Sequence, residues 1–232
     1  MTHGSRKTPI IRMYHVYKLY DSKSALSDIS LEIEENEFLF VTGASGAGKT
    51  TLLKLLYFGE SATNGQVIID GVNLLRIPKH QIPFLRRKFG IIFQDYKLIP
   101  SKTVFENLAL VLEAAGHKRK FVEKKVKSVL RIVGLEEKQG ALPPSLSGGE
   151  QQRIAIARAV IGDPKIILAD EPTGNLDSGS AEIIFDLLNR FHKDGSTIIL
   201  ATHDPELIHS INGRKIVLDK GQLISDHKIK EA

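Results

Sequence analysis

Gly43-Ala44-Ser45-Gly46-Ala47-Gly48-Lys49-Thr50-Thr51 follows the apolar run Phe38 to Val41 and precedes Leu52 to Tyr57, an apolar, helix-compatible stretch. It fits G-x-x-x-x-G-K-[ST] in the strand, turn and helix setting of a phosphate-binding loop. Each residue type has a task. Gly43, Gly46 and Gly48 permit backbone angles and close approach that a Cβ would block, so successive N–H groups can turn inward as an anion-binding nest. Lys49 would reach the outer phosphates as a point charge and the Thr50 hydroxyl would ligate Mg2+, while the helix starting here points its partially positive end at the anion. The bland alternative is a glycine-rich turn with a solvated lysine; the match of all four fixed positions in context speaks against it. Alone, the loop implies a bound nucleoside triphosphate and no more.

Working outward, residues 1–9 read as a loose arm and residues 10–232 as one domain. Ile10 to Tyr17, with Tyr20 just beyond, and Ser30 to Glu34 read as strands, and Glu35-Asn36 as the turn into the strand feeding the loop. Downstream, Val67 to Ile69 is a strand between turns, and Phe89 to Phe93 is another that delivers Gln94 and Asp95 to its end. From Val104 to Gly134 the period becomes helical, with Val104, Leu108, Val111 and Leu112 on one face and Val122, Val126, Val129 and Leu130 on another. This predicts a helical subdomain there. After the Pro143-Pro144 break, the pattern predicts a glycine turn and helix over Leu146 to Val160, a strand Ile166 to Ala169 and a helix from about Ser180 to Phe191. A strand Thr197 to Ala201, a short helix near Glu206 to Ile211 and a hairpin turning at Lys220-Gly221 complete the reading. The alternation after the loop argues for an α/β fold with a mostly parallel sheet covered on both faces, entered through an antiparallel segment.

Composition sets bounds. A chain of 232 residues, 42% hydrophobic, can bury a full core. The absence of cysteine excludes disulfides and thiol catalysis. No apolar run approaches the roughly twenty residues of a membrane-spanning helix, and nothing resembles a signal peptide, so membrane association would pass through a partner or the surface. The net charge is +5, with basic clusters at Arg86-Arg87-Lys88 and Lys118 to Lys127. Glu123 and other acids interleave and no aromatic stacking set accompanies them, so these clusters read as solvated helix faces and no nucleic-acid partner is expected.

Ile166 to Ala169 ends in Asp170-Glu171. Asp170 is placed to ligate the divalent ion directly or through water, and Glu171 to orient and deprotonate an attacking water. After the strand Thr197 to Ala201, His203 could bond the terminal phosphate and hold that water in register. Gln94 could contact water through its amide and ligate Mg2+ through its carbonyl. Leu146-Ser147-Gly148-Gly149-Glu150 places a hydroxyl and backbone donors at a helix start, a second anion site. Taken singly, His203 and Gln94 read equally well as ordinary loop residues, and the glycine pair as a helix cap.

The ordered set of phosphate loop, Gln94, LSGGE, Asp170-Glu171, Gly174-Asn175-Leu176-Asp177 and His203 resembles the ATP-binding cassette (ABC) ATPase family over residues from about 10 to 225. Glu150 stands where the family commonly has Gln. The resemblance implies a P-loop NTPase core with an antiparallel β subdomain and an inserted helical subdomain over about 96–160, ATP and Mg2+ as cofactors, and ATPase activity. It places Tyr20 where the family stacks an aromatic on adenine. It further implies a head-to-tail homodimer in which Ser147, Gly148, Gly149 and Glu150 act on the partner's nucleotide while Asp177 helps join the two sites.

Ala44 to Gly48, Leu52 to Tyr57, Ile82 to Arg87, Phe93-Gln94-Asp95 and Asp170 to Asp177 (DEPTGNLD) narrow the resemblance to the FtsE family of bacterial cell-division ATPases. Asn36, where these families usually have Gly, tolerates a left-handed turn. That family pairs with the membrane protein FtsX, which implies a peripheral position on the cytoplasmic face of the bacterial inner membrane and a role in switching cell-wall hydrolases. The lipoprotein-release and drug-export ATPases share DEPTGNLD and LSGGE and imply a transport motor instead. A soluble ABC ATPase acting on nucleic acid is a third reading, disfavoured by the single compact cassette.

Overall fold

The computed structural model describes residues 9–205, 208 and 211–229. The expected N-terminal arm, apart from Pro9, and most of the expected short helix near Glu206 to Ile211 lie outside them. Two twelve-residue strands open the chain, β1 (Pro9–Tyr20) and β2 (Lys23–Glu34), paired antiparallel. β2 begins well before Ser30, where the sequence pattern places it. The reason is a broken alternation: the pairing shifts register between Met13 and Leu19, and His15 (φ 46°) and Asp28 (φ 56°) take left-handed backbone there. Extra residues of this kind disrupt the period of two from which a strand is recognised. His15 Nδ1 and Asp28 Oδ1 lie 2.7 Å apart across the irregularity.

Next come β3 (Phe38–Thr42), α1 (Lys49–Leu56), β4 (Asn64–Ile69), β5 (Val72–Asn73) and α2 (Ile82–Arg86). β6 (Phe89–Ile92), α3 (Val104–Ala114), α4 (Arg119–Ile132), α5 (Gly148–Val160), β7 (Ile166–Asp170) and α6 (Ser178–Lys193) follow, then β8 (Thr197–Ala201), β9 (Arg214–Asp219) and β10 (Gln222–Lys228). Contacts divide the chain into two units, Met1–Arg86 with Gly195–Ala232, and Arg87–Asp194.

In the first unit β2, β1, β4 and β5 form an antiparallel sheet in that order. β3 runs parallel to β8 on one side and to β9 on the other, with Phe38 opposite Ile198 and Leu39 opposite Arg214. Every residue of β3 and β8 is buried, as continuous apolar runs covered on both faces require. Each such side chain contributes about 1.5–3 kcal/mol on burial. Asn36 takes the left-handed turn (φ 56°) and donates its N–H to Thr197 Oγ1 at 2.9 Å, tying the start of β3 to β8. β9 and β10 form the expected hairpin through Lys220 and Gly221, both at positive φ.

In the second unit β6 and β7 pair parallel, Phe89 opposite Ile166. α5 lies against β6 so closely that a Cβ on Gly90 would stand 2.4 Å from the Ala159 carbonyl oxygen. α3 buries Val104, Leu108 and Leu112, and α4 buries Val122, Val126, Val129 and Leu130, as the periodicity predicts; Val111 is only half-buried. A capping box starts α3: Thr103 Oγ1 accepts from Glu106 N–H, and Glu106 Oε2 accepts from Thr103 N–H. Asn107, fully buried on α3, donates to the carbonyls of Ile99, Lys102 and Thr103 and accepts from Ile99 N–H. It anchors the loop between β6 and α3. No helix among the described residues is long and apolar enough to cross a membrane.

Candidate functional site

The glycines of the phosphate loop divide their work. A Cβ on Gly43 (φ 144°) would lie 2.2 Å from the Leu218 carbonyl oxygen, and one on Gly48 (φ 108°) 2.7 Å from that of Ala25. These two therefore admit the chain's own neighbours, β9 and β2. Gly46 (φ 77°) faces open space, where a Cβ would find no atom within 4 Å. The loop is stitched by Ala47 N–H to Ala44 O (3.1 Å) and Gly221 N–H to Ala47 O (3.0 Å). Buried Lys49 donates Nζ to Gly43 O (2.8 Å) and Ala44 O (3.3 Å), so its ammonium lies across the loop. α1 has Gly48 as its N-cap and no side-chain cap, which leaves its first N–H groups to be met by an anion. Ser45 and Thr50 are exposed and Thr51 is half-buried.

His203 belongs to this unit. Thr202 N–H donates to Val41 O at 3.1 Å, which sets the residue after β8 beside the end of β3, where the phosphate loop begins. His203 itself is exposed, and Asp204 N–H returns to Thr202 Oγ1 at 3.1 Å. The C-terminal ends of adjacent parallel strands thus carry both features, the usual place for ligand loops in such sheets. Tyr20 ends β1 and is 37% exposed, against a half-buried Tyr17. Lys18 Nζ stands 4.7 Å from the Tyr20 ring centroid, while Glu60 Oε2 and Ser61 O hold that ammonium at 3.0 Å each. Tyr20 therefore presents an aromatic ring already braced by a cation.

The second unit gathers Gln94, Asp170, Glu171, the LSGGE segment and Asp177. Asp170 is the last residue of β7, half-buried, and Glu171 follows in left-handed backbone (φ 45°). Such a conformation costs a non-glycine residue on the order of 1–3 kcal/mol and clusters at working sites. Gln94, exposed after β6, and Glu171 meet around Gly174: a Cβ there would lie 3.4 Å from Gln94 Nε2 and 3.8 Å from Glu171 Cβ.

Ser147 caps α5. Its Oγ accepts from Glu150 N–H (3.2 Å) and Glu150 Oε2 accepts from Ser147 N–H (2.8 Å), a capping box already visible as S-x-x-E in the sequence. The bond from Ser147 N–H, aided by Lys138, holds the Glu150 carboxyl below the usual range. Asp177 caps α6, accepting from Ser180 N–H (2.9 Å) and Ser180 Oγ (2.8 Å), which lowers its pKa too. A Cβ on Gly149 would reach within 2.7 Å of Ser180 Oγ and one on Gly148 within 3.1 Å of the Tyr96 hydroxyl. Ser180 and Tyr96 are thus neighbours of the signature glycines that sequence reasoning missed. Ser180 was legible as the third residue after a capping Asp; Tyr96 carries no pattern.

A model of the ABC transporter family matches residues 26–174. The chain belongs to the ABC transporter family. It is 44% identical to the cell division ATP-binding protein FtsE of Streptococcus pneumoniae strain D39, over 94% of this chain and 95% of that protein. To FtsE of Bacillus subtilis strain 168 it is 42% identical, over 94% and 96%. A dimeric, post-hydrolysis structure of the ATP-binding cassette MJ0796, bound to ADP and Pi, superposes with a TM-score of 0.87 at 34% identity, covering 96% of this chain and all of that one. The P-loop NTPase fold expected from the sequence is therefore the one found, and with it the ATPase class.

Proposed function

We propose that this ABC ATPase serves bacterial cell division, pairing head to tail with a second copy of itself on ATP and driving conformational change in an FtsX-type integral membrane partner. The observation that carries it is 42–44% identity, over nearly the whole length, to proteins named for cell division. The nest from Gly43 to Thr51 and Lys49 hold the phosphates, and Tyr20 stacks on adenine. Thr50, Gln94 and Asp170 supply a hydroxyl, an amide carbonyl and a carboxylate, hard oxygen donors of the kind Mg2+ takes. Bound there, Mg2+ would neutralise charge on the β- and γ-phosphates. Glu171 takes the proton of the attacking water, and His203 bonds the terminal phosphate.

Ser147, Gly148, Gly149 and Glu150 serve the opposite subunit's nucleotide, with Asp177 ordering the neighbouring helix start. Ser147 stands at the N-terminus of α5, where a hydroxyl and backbone N–H groups are the donors an anion takes. The membrane partner docks on Asp95 to Ser101 and the helical segment Thr103 to Gly134, which holds the chain peripherally on the cytoplasmic face of the inner membrane. Glu171→Gln tests the mechanism. Turnover should fall by at least about a hundredfold, while size-exclusion in ATP and Mg2+ shows a dimer that co-purifies an FtsX-type protein from membranes. Only monomer under those conditions would sink the shared-site reading; an efflux or lipoprotein-release permease in the eluate would sink the division role alone.

A further inference from the structure

Arg158 lies on α5, about three turns beyond the signature serine. It is half-buried, and its two terminal nitrogens reach consecutive backbone carbonyls: Nη1 donates to Lys97 O (2.5 Å) and Nη2 to Tyr96 O (2.8 Å). No carboxylate pairs with it among the described residues, and burial holds its guanidinium below the ordinary arginine range. Among those residues only carbonyl dipoles answer its charge. The fork can span both carbonyls because Tyr96 (φ 58°) and Lys97 (φ 51°) are both left-handed, an arrangement that costs side-chain-bearing residues about 1–2 kcal/mol apiece and needs something to hold it. The Tyr96 ring meanwhile runs back to the start of the same helix, its hydroxyl beside Gly148. The turn that follows Gln94 is thus gripped twice by α5, at the signature and three turns along.

We propose that Arg158 is a positioning residue whose fork fixes the Tyr96-Lys97 turn to the signature helix, so that Gln94 and the Ser147-Gly148-Gly149 segment engage nucleotide as one body. This rests on the reading above that both act on ATP. Lysine cannot replace the fork, since a single ammonium does not meet two carbonyls in a fixed plane.

The test is a double-mutant cycle between Arg158→Lys and Gln94→Ala in the full chain. Two quantities are read: kcat and KM for ATP hydrolysis and, in a Glu171→Gln background that needs no turnover, the ATP concentration at half-dimerisation. Arg158→Lys should lower kcat about tenfold with KM within about twofold, raise the half-dimerisation concentration about tenfold, and melt within about 2 °C of wild type. With Gln94→Ala already present, the same change should cost less than about twofold, because a residue acting through Gln94 has nothing left to position. Tyr96→Phe, which removes only the hydroxyl at Gly148, should give a smaller loss of the same kind. Equal losses in both backgrounds, or an unaffected Arg158→Lys, overturn the clamp. Gln94→Ala at wild-type turnover and dimerisation instead overturns the reading of Gln94 on which the clamp rests.

Discussion

Asn107→Ala should be among the more damaging single changes outside the phosphate loop. The Asn107 amide serves Ile99 N–H (2.8 Å), Ile99 O (3.1 Å), Lys102 O (2.9 Å) and Thr103 O (3.0 Å). Thr103 O also accepts from Asn107 N–H at 2.9 Å, so it stays satisfied when the side chain is cut. Ile99 O likewise keeps the bond from Lys102 N–H at 3.1 Å, so two backbone groups, Ile99 N–H and Lys102 O, lose their partner. At a net 0.5–1.5 kcal/mol each, and with Ile99 and Lys102 exposed enough for water to repair part of the loss, the cost is about 1–3 kcal/mol. For a chain of this size that is a drop in Tm of roughly 2–12 °C. Differential scanning calorimetry measures it, and hydrogen exchange at Ile99 should quicken more than exchange in β3. Asn107→Asp should do at least as much harm, because a carboxylate cannot donate to three carbonyls. A Tm within 1 °C of wild type for either variant, or an Asp variant as stable as Asn, would refute the anchoring role.

Gly43→Ala should abolish nucleotide binding and lower stability by several kcal/mol, since its Cβ would sit 2.2 Å from Leu218 O. Gly46→Ala meets no atom and should cost only about 1–2 kcal/mol of left-handed strain; a fluorescent ATP analogue and thermal melts separate them. Asp226 forms a two-point pair with Arg214 at 2.6 Å per bond, which holds its carboxyl below the usual aspartate range. The pair's stabilisation is complete above the ordinary aspartate pKa of about 3.9 and is lost as pH falls from there through the lower folded value. Asp226→Asn should therefore lose about 1–2 kcal/mol at neutral pH and flatten the acid limb of the stability–pH curve. Lys102→Glu should weaken recruitment to membranes carrying the partner while leaving basal ATPase unchanged, as a pelleting assay beside a phosphate-release assay would show.

What the sequence made legible was what repeats or what is chemically singular. β3, β7 and β8 read clearly because strands buried on both faces are unbroken apolar runs. α3 and α4 read clearly because each buries one helical stripe. β2 was half hidden because bulges shift its alternation, and β5, a two-residue pairing, has no period to show. At the site, the glycines announced the loop but not their separate reasons, since Gly43 and Gly48 answer to Leu218 and Ala25, far away in sequence or across a turn. The Ser147–Glu150 box was present as spacing, yet its anion-binding reading overshadowed its capping one. Arg158 and Tyr96 were illegible: left-handed backbone at Tyr and Lys leaves no mark in composition, and a helical arginine looks like any solvated one.

The setting of β3 bears on how the molecule is made. Its two partners, β8 and β9, are translated long after it, and the loop that β3 feeds is braced by Leu218 and Gly221. At roughly 5–20 residues per second the ribosome needs on the order of ten to forty seconds to travel from Thr42 to Gly221. For most of that interval Phe38 to Val41 is an apolar, strand-forming segment without its sheet partners, while the segment spanning β6 to α6 is completed before β8 begins. Synthesis stalled before the β9–β10 hairpin therefore leaves a polypeptide that contains the entire phosphate-loop sequence but lacks the braces at Leu218 and Gly221.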